Sequence, residues 1–304
     1  MRRVLLAVHE GREAATKVAA AFAADLRARG IDVCVLDSEV EALQAAGVDD
    51  AHIVAAAPGA AAGCELAVVF GGDGTILRAA ELCRGTGTPV LGVNLGHVGF
   101  LAEADVEDMN DVVQMVVDRS YTVEERLTVD VSVTVGGEVV ATNWALNEAS
   151  VEKAARERML EIVVEIDDRP VSRWGCDGIV CATPTGSTAY NFSAGGPIVW
   201  PEVSALLMVP ISAHALFARP LVVSPDSTLA IEVVGEHSTG VLWCDGRRAA
   251  DLPLGSRVEV RKGHETVRLA RLHPASFADR LVRKFDLPVS GWRGAAERRW
   301  EGHA

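Results

Sequence analysis

The spacing of apolar residues changes character once along this chain, near residue 125, and the change limits what each part can fold into. Before it, short apolar runs alternate with helical patterns. Residues 3–8 read as a buried strand, and Glu13–Arg29 as an Ala-rich helix with Val18, Phe22 and Leu26 on one face. Gly30 is placed to stop that helix ahead of a strand over Ile31–Leu36. Leu66–Phe70 reads as strand, the stretch up to Leu82 as helix, and Pro89–Asn94 as strand. Val106, Met109, Val113 and Val116 then mark a further amphipathic helix. Strands that alternate with helices imply a parallel, doubly wound sheet.

After residue 125 the period shortens to two. Leu127, Val129, Val131, Val133 and Val135 alternate with Thr128, Asp130, Ser132 and Thr134, and Gly136-Gly137 supplies a turn. Leu160, Ile162, Val164 and Ile166 alternate in the same way before Asp167-Asp168. Runs at 219–235, 240–244, 257–262 and 267–272 are also short and β-like, so this part is expected to be all-β. Phe277, Leu281 and Phe285 then return to helical spacing. The expected fold class is α/β plus all-β. The α/β domain is placed at 1–125, with 275–304 packing back on it, and the all-β domain at 126–274.

A chain of 304 residues is long enough for two ordinary domains with sizeable cores. Its formal charge of −13 argues against a general nucleic-acid or anionic-membrane binder, which needs a basic face. No apolar run approaches membrane-spanning length; Val4–Val8 is broken by His9-Glu10, which also denies it the core of a signal peptide. The six cysteines (Cys34, Cys64, Cys83, Cys176, Cys181, Cys244) are scattered and form no C-x-x-C pair. They read as reduced thiols of a cytoplasmic protein rather than as a disulfide framework or a zinc site.

Three segments carry chemistry. Gly71-Gly72-Asp73-Gly74-Thr75 joins the apolar strand Leu66–Phe70 to the helix that follows. Glycines let a phosphate-bearing ligand approach the backbone without Cβ clashes, and the N–H groups of a helix start favour its charge. Asp73 is the odd member, because a carboxylate repels phosphate unless a metal or a proton transfer is involved. An ordinary Gly-Asp-Gly turn has the same composition. Asn147-Glu148 places an amide beside a carboxylate, a pair able to hold the vicinal hydroxyls of a ribose, although a solvated loop also contains such pairs. In residues 175–193, Pro184 and Gly186 force a turn, and Thr183, Thr185, Ser187 and Thr188 cluster hydroxyl groups there. That loop suits a nucleotide, and equally a hydroxyl-rich hairpin. Asp177 precedes it in an apolar strand, where an isolated carboxylate is costly.

Taken together and in this order, GGDGT at 71–75, Asn147-Glu148 and the PTGSTAY segment Pro184–Tyr190 resemble the NAD kinase family. The likeness runs from about Val4 to Arg293 and takes in Asn94-Leu95-Gly96 and Phe277-Ala278-Asp279-Arg280-Leu281. GGDGT alone is shared with diacylglycerol, sphingosine and 6-phosphofructo-kinases; the three motifs together discriminate far better. The resemblance implies a Rossmann-like N-terminal domain with a parallel sheet, a C-terminal β-sandwich, and a final helix returning to the first domain. It implies transfer of a phosphoryl group from ATP or polyphosphate to the 2′-hydroxyl on the adenosine ribose of NAD. Asp73 is then the proton acceptor, Gly74 lines the NAD site and Arg78 meets a diphosphate. Asn147 and Glu148 hold NAD through ribose or base contacts. Asp177 and the run Thr188, Ala189, Tyr190, Asn191, Phe192 and Ser193 complete the dinucleotide site, and Arg158, beside the strand Met159–Ile166, is carried over with them. Arg247, after Asp245-Gly246, stands where several relatives carry an amide, so no base contact is assigned there, and His214 receives no catalytic role.

The resemblance also implies a homo-oligomer, dimer or tetramer, with NAD and ATP or polyphosphate as its partners and neither nucleic acid nor membrane. A ribose hydroxyl is a poor nucleophile until a base takes its proton, and a placed carboxylate supplies roughly 10²–10⁴-fold that way. A divalent cation, Mg²⁺, is expected to arrive with the donor phosphates; the sequence offers no dedicated metal cage.

Overall fold

The computed structural model describes residues 2–96, 99–105, 109–156, 158–235, 239–272 and 276–289. Val106 of the helical stripe and Arg293, with the rest of the expected 275–304 segment beyond Val289, lie outside the described residues. The chain divides into two units, one made of residues up to Glu124 and from Arg268 onward, the other of Glu125–Val267.

The first unit runs β1 (Arg3–Val8), α1 (Glu13–Ala28), β2 (Asp32–Leu36), α2 (Val40–Ala45), β3 (His52–Val54), β4 (Leu66–Phe70), α3 (Asp73–Cys83), β5 (Val90–Asn94), β6 (Ala104–Asp105), α4 (Met109–Asp118) and β7 (Thr122–Arg126). Strands β3, β2, β1, β4 and β5 lie side by side in that order, all parallel. Every residue of β4 and β5 is buried, as expected of central parallel strands covered on both faces. Alternate side chains serve opposite layers. Val68, Phe70, Leu91 and Val93 pack with α1 and α4 through Phe22, Leu26, Val112 and Val116. On the other layer α3 comes so close that Ile76 fills the space where a Cβ of Gly92 would sit.

The strand order reverses between β1 and β4. In an open parallel sheet that reversal leaves a crevice at the carboxyl ends of the strands, where ligands bind. The GGDGT loop leaves β4 at this point.

The second unit contains β8 (Val129–Val135), β9 (Glu138–Ala145), β10 (Glu148–Lys153), β11 (Leu160–Ile166), β12 (Arg169–Cys176), β13 (Gly178–Ala182), α5 (Tyr190–Ser193), β14 (Leu206–Ile211), β15 (Leu221–Val223), β16 (Leu229–Val233), β17 (Gly240–Cys244), β18 (Arg248–Leu252) and β19 (Arg257–Lys262). They form two six-stranded sheets, ordered β15-β14-β13-β10-β17-β18 and β12-β11-β16-β19-β8-β9, antiparallel at every pairing. Their inward faces share one core, in which Val131, Ile162 and Val258 of one sheet meet Val151, Ile179 and Leu242 of the other around the buried Trp174. The hairpin turns fall where the sequence places them, with Asp167 and Asp168 both in left-handed conformation.

One run departs from the sequence reading. Residues 267–272 look like another strand of the all-β part, yet Val267–Arg271 forms β20 and Leu269 pairs in parallel with Val90 of β5. Its alternation reports one covered face and says nothing of which sheet covers it. The chain then forms α6 (Phe277–Phe285), capped by Ser276, whose hydroxyl accepts the Ala278 N–H. Phe277 and Phe285 pack on the Phe100 ring at centroid distances of 5.8 and 5.9 Å, which returns this helix to the first unit. Among the described residues no helix is long and apolar enough to cross a membrane. All six cysteines are buried, and none forms a disulfide.

Candidate functional site

In the first unit, α3 starts inside the glycine pentad rather than after it. Gly72 is the extended residue before the helix, and Asp73, Gly74 and Thr75 are its first turn. An acid at this position is favoured by the partial positive charge of the helix start. The Asp73 carboxylate is held on both oxygens: the Phe100 N–H donates to Oδ2 at 3.0 Å and the Leu101 N–H to Oδ1 at 3.1 Å. That approach requires glycine at 99, because a Cβ there would lie 2.3 Å from Asp73 Oδ1. Gly72 and Gly74, by contrast, have open space where a Cβ would point, so packing does not explain them.

Arg78, one turn further along α3, is tied to the same edge of the sheet. Its Nη1 donates to Glu39 Oε1 at 2.8 Å and lies 3.3 Å from Glu10, and Nη2 donates to Ser38 Oγ at 3.3 Å. Glu39 is only 6% exposed, and its second oxygen accepts the Val8 N–H at 2.9 Å. Burial pushes the Glu39 carboxyl above the usual range, and these bonds work against the rise. Those contacts use part of the five donors of the guanidinium and fix its direction.

In the second unit, Asn147 and Glu148 are not a solvated loop. Both are buried, at the corner where β9 hands over to β10. Asp245 clamps the corner from one side, accepting the Leu146 N–H at 3.0 Å and the Asn147 N–H at 2.7 Å. Arg248 holds Asp245 at 2.9 Å while its guanidinium stacks on Trp144, 4.6 Å from the ring centroid. The third segment grips the same corner from the other side. Thr183 donates its N–H to the Asn147 carbonyl at 2.9 Å and its hydroxyl to Leu146 O at 2.6 Å. The corner thus joins two motifs that are well separated in sequence.

Glu148 carries an unusual charge state. Burial, then the neighbouring Asp245 carboxylate, push it up to about 8, against one bond from the Tyr190 backbone N–H. Its Oε2 is buried with no hydrogen-bond partner among the described residues. The folded protein therefore keeps a proton at neutral pH that the unfolded chain releases near its ordinary value. Stability is lost as pH rises from that ordinary value toward 8. Glu148→Gln is expected to flatten this part of the stability profile and to be more stable than the parent at pH 8 by roughly 2–4 kcal/mol. Denaturant unfolding at a series of pH values measures it, and a parallel offset at every pH would rule out a protonated Glu148.

The PTGST stretch is a helical turn, not a hairpin. Thr185–Thr188 form one turn of 3-10 helix, followed by the short α5. Thr188, Ala189 and Tyr190 are partly exposed, and Phe192 and Ser193 are exposed. Asn191 is fully buried, and its amide nitrogen donates to the carbonyls of Ser187 at 3.2 Å and Pro197 at 3.0 Å. Its side chain supports the loop from inside. Asp177 also differs from its sequence reading. It sits on a bend between β12 and β13, its side chain 40% exposed, and pairs with Lys153 at 2.5 Å. That hydrogen-bonded pairing holds its carboxyl below the usual range, so no isolated buried charge is involved. Arg158 is exposed just before β11.

Sequence reasoning missed Glu39, the Gly99–Leu101 backbone, and Asp245 with Arg248 as the support of Asn147-Glu148. The spacing Asn94-Leu95-Gly96 to Gly99 was the one available signal, a second glycine stretch at the end of a buried strand. Among the described residues no group of three or more His, Cys, Asp or Glu side chains is placed to hold a metal ion.

Comparison with known proteins covers both units. Residues 4–121 match the family model of the ATP-NAD kinase N-terminal domain, and residues 146–272 that of the ATP-NAD kinase C-terminal domain. NAD kinase 2 of Streptomyces coelicolor is 62% identical over 296 residues, covering 97% of this chain and 98% of the relative. NAD kinase of Thermobifida fusca is 59% identical over 307 residues, covering 99% and 94%. Among solved structures, yeast NADH kinase complexed with NADH superposes with a TM-score of 0.82 at 25% identity, covering 97% of this chain and 89% of that one. An NAD kinase from Archaeoglobus fulgidus in complex with ATP shares the fold, with a TM-score of 0.68 at 24% identity over 94% and 98% of the two chains.

Proposed function

The chain belongs to the NAD kinase family, and from that premise we propose that it phosphorylates the 2′-hydroxyl on the adenosine ribose of NAD, with Asp73 as the general base. The observation that carries the reading is the Asp73 carboxylate, fixed by two backbone N–H groups at the carboxyl end of β4 and flanked by glycines that leave room for a ligand. A base held in this way needs no reorganisation when the hydroxyl arrives, and its pull on the proton grows as the new bond to phosphorus forms. Arg78, aimed by Glu39, is assigned to a diphosphate, and Gly74 to close backbone approach.

Asn147 and Glu148 are assigned to the dinucleotide. A protonated Glu148 both donates and accepts, so its unpartnered Oε2 suits a sugar hydroxyl. Thr188, Ala189, Tyr190, Phe192 and Ser193, all at least partly exposed, are assigned to the same ligand, Asp177 and Arg158 contribute charge, and Asn191 keeps the loop in shape. The phosphoryl donor is ATP or polyphosphate. A divalent cation, Mg²⁺ by preference, accompanies it on the donor phosphates, and the lone pairs of Asp73 left after its two backbone bonds are kept for the ribose proton. When bound, the cation neutralises charge on the donor phosphates. Exposed apolar side chains in the second unit, among them Trp200, Leu216 and Phe217, support a homo-oligomer, dimer or tetramer.

A matrix of donors (ATP, polyphosphate) against acceptors (NAD, NADH), with NADP read out by an NADP-specific dehydrogenase, tests the reading. Product with NAD is expected and should vanish when a chelator removes divalent cations. No product with any donor would overturn it.

A further inference from the structure

The two N–H groups that hold Asp73 belong to a stretch that is neither helix nor strand, Gly99–Glu103. Irregular backbone is ordinarily the mobile part of a fold. Here the segment that returns from the second unit immobilises it. Arg280 of α6 donates through Nη1 to the carbonyls of Phe100 at 3.2 Å and Ala102 at 2.7 Å. Arg271 of β20 donates through its own Nη1 to the carbonyl between them, Leu101, at 3.2 Å. Three successive carbonyls are thus taken by two arginines. Both guanidiniums also bind Glu103, whose side chain is 1% exposed, and Arg271 further binds Glu124 at 2.9 Å. A carboxylate that deeply buried is tolerated because it is paired. The Phe100 ring, packed against Phe277 and Phe285, closes the arrangement.

The same short stretch therefore offers its carbonyls to the returning segment and its N–H groups to Asp73. Peptide units are planar, so the Phe100 carbonyl held by Arg280 fixes the Leu101 N–H of the same unit, and the Phe100 N–H one residue earlier is limited through the shared Cα. We propose that Arg280 is a positioning residue of the reaction: from α6, which touches no reacting atom, it sets the direction of the Asp73 carboxylate by fixing the backbone of residues 100–102. The inference rests on the assignment of Asp73 as the base. Arginine suits the place because its planar fork donates to two carbonyls from one nitrogen and to a carboxylate from another, whereas an ammonium must meet all three acceptors from a single nitrogen.

Two variants in the full-length protein test it, Arg280→Gln and Arg280→Lys. Misplacement of a reacting group by about 1 Å costs on the order of 10²-fold. Arg280→Gln is expected to lower kcat roughly 10–100-fold, with KM for NAD and for the donor within about threefold of the parent. Arg280→Lys should recover part of the loss. Amide hydrogen exchange gives a readout independent of turnover. The Phe100 and Leu101 amides should exchange at least about tenfold faster in Arg280→Gln, while Leu91 and Val93 of the adjacent β5 keep their protection. Unchanged kcat, or unchanged protection of those two amides, overturns the proposal. So does an equal loss of protection throughout β5, which would make Arg280 a general stabiliser. If the parent itself forms no NADP, the assignment of the reaction has failed. The exchange pattern then decides alone whether Arg280 holds the Asp73 loop.

Discussion

Asp73→Asn is expected to bind NAD within about threefold of the parent and to turn over 10²–10⁴-fold more slowly, the range a placed general base contributes. The substitution keeps the shape and removes the capacity to accept a proton. It has a second effect that the geometry makes specific. Both carboxylate oxygens accept backbone N–H groups, from Phe100 and Leu101. An amide offers one acceptor and one donor, so one of these N–H groups must face an NH₂ group. Leaving a part-buried donor unpaired costs about 1–3 kcal/mol, and the loop should loosen on that side. Single-turnover measurement at saturating NAD isolates the chemical step, and calorimetric titration reports binding. Near-parental single-turnover rates would remove Asp73 from the base role. Lost binding with little loss of rate would make it a substrate ligand instead.

Gly186→Ala is expected to be the most damaging change of a single methyl group in the second unit. A Cβ at this position would stand 2.0 Å from the Asn147 carbonyl oxygen, 2.4 Å from its carbon and 2.7 Å from its Cα. All three are backbone atoms, so no flexible side chain can yield. Relief requires the Asn147-Glu148 corner to move away from the Thr185–Thr188 turn. That movement strains the two bonds Thr183 makes to the corner, from its N–H to the Asn147 carbonyl at 2.9 Å and from its hydroxyl to the Leu146 carbonyl at 2.6 Å. Overpacking of a tight interior contact costs 1–3 kcal/mol or more, and the upper end applies here, about 3 kcal/mol. NAD affinity should fall at least about tenfold, since the displaced groups are those assigned to the dinucleotide. Urea unfolding and NAD titration measure the two effects. Parental stability together with parental affinity would show that the corner does not depend on this contact.

Local pattern carried most of the fold. β4, the glycine pentad and α3 are legible because a buried parallel strand is a continuous apolar run and the helix after it has its own period. The sandwich is legible because inward residues of β8, β11 and β19 alternate without a break. Pairings between distant residues were not legible. Nothing in the vicinity of Glu39 says that it will be buried beneath Arg78, and Lys153 gives no sign that it will meet Asp177. Asp177 therefore looked isolated when it is paired. Arg271, Arg280 and Glu103 are each an ordinary charged residue in sequence; only the fold shows three charges sharing one buried point. Motif membership also hid a division of labour. In the run from Thr188 to Ser193, exposure separates residues that face outward from Asn191, which faces in, and no one-dimensional pattern reports that.

The return of β20 and α6 to the first unit has a consequence for how the protein is made. The parallel sheet receives β20 beside β5 only after the whole of the second unit has been synthesised, since the pairing of Leu269 with Val90 joins residues 179 positions apart. At about 5–20 residues per second, a ribosome leaves that edge of β5 waiting for roughly 10–35 s. A nascent chain in this interval carries the GGDGT strand and helix but not the arginines that fix the loop above Asp73. β6 covers the Val93–Asn94 end of that edge early, but the Val90 end stays open for that long, and an open edge of a buried-type strand is an aggregation hazard. Competence therefore arrives late, only once β20 and α6 have followed the whole of the second unit off the ribosome.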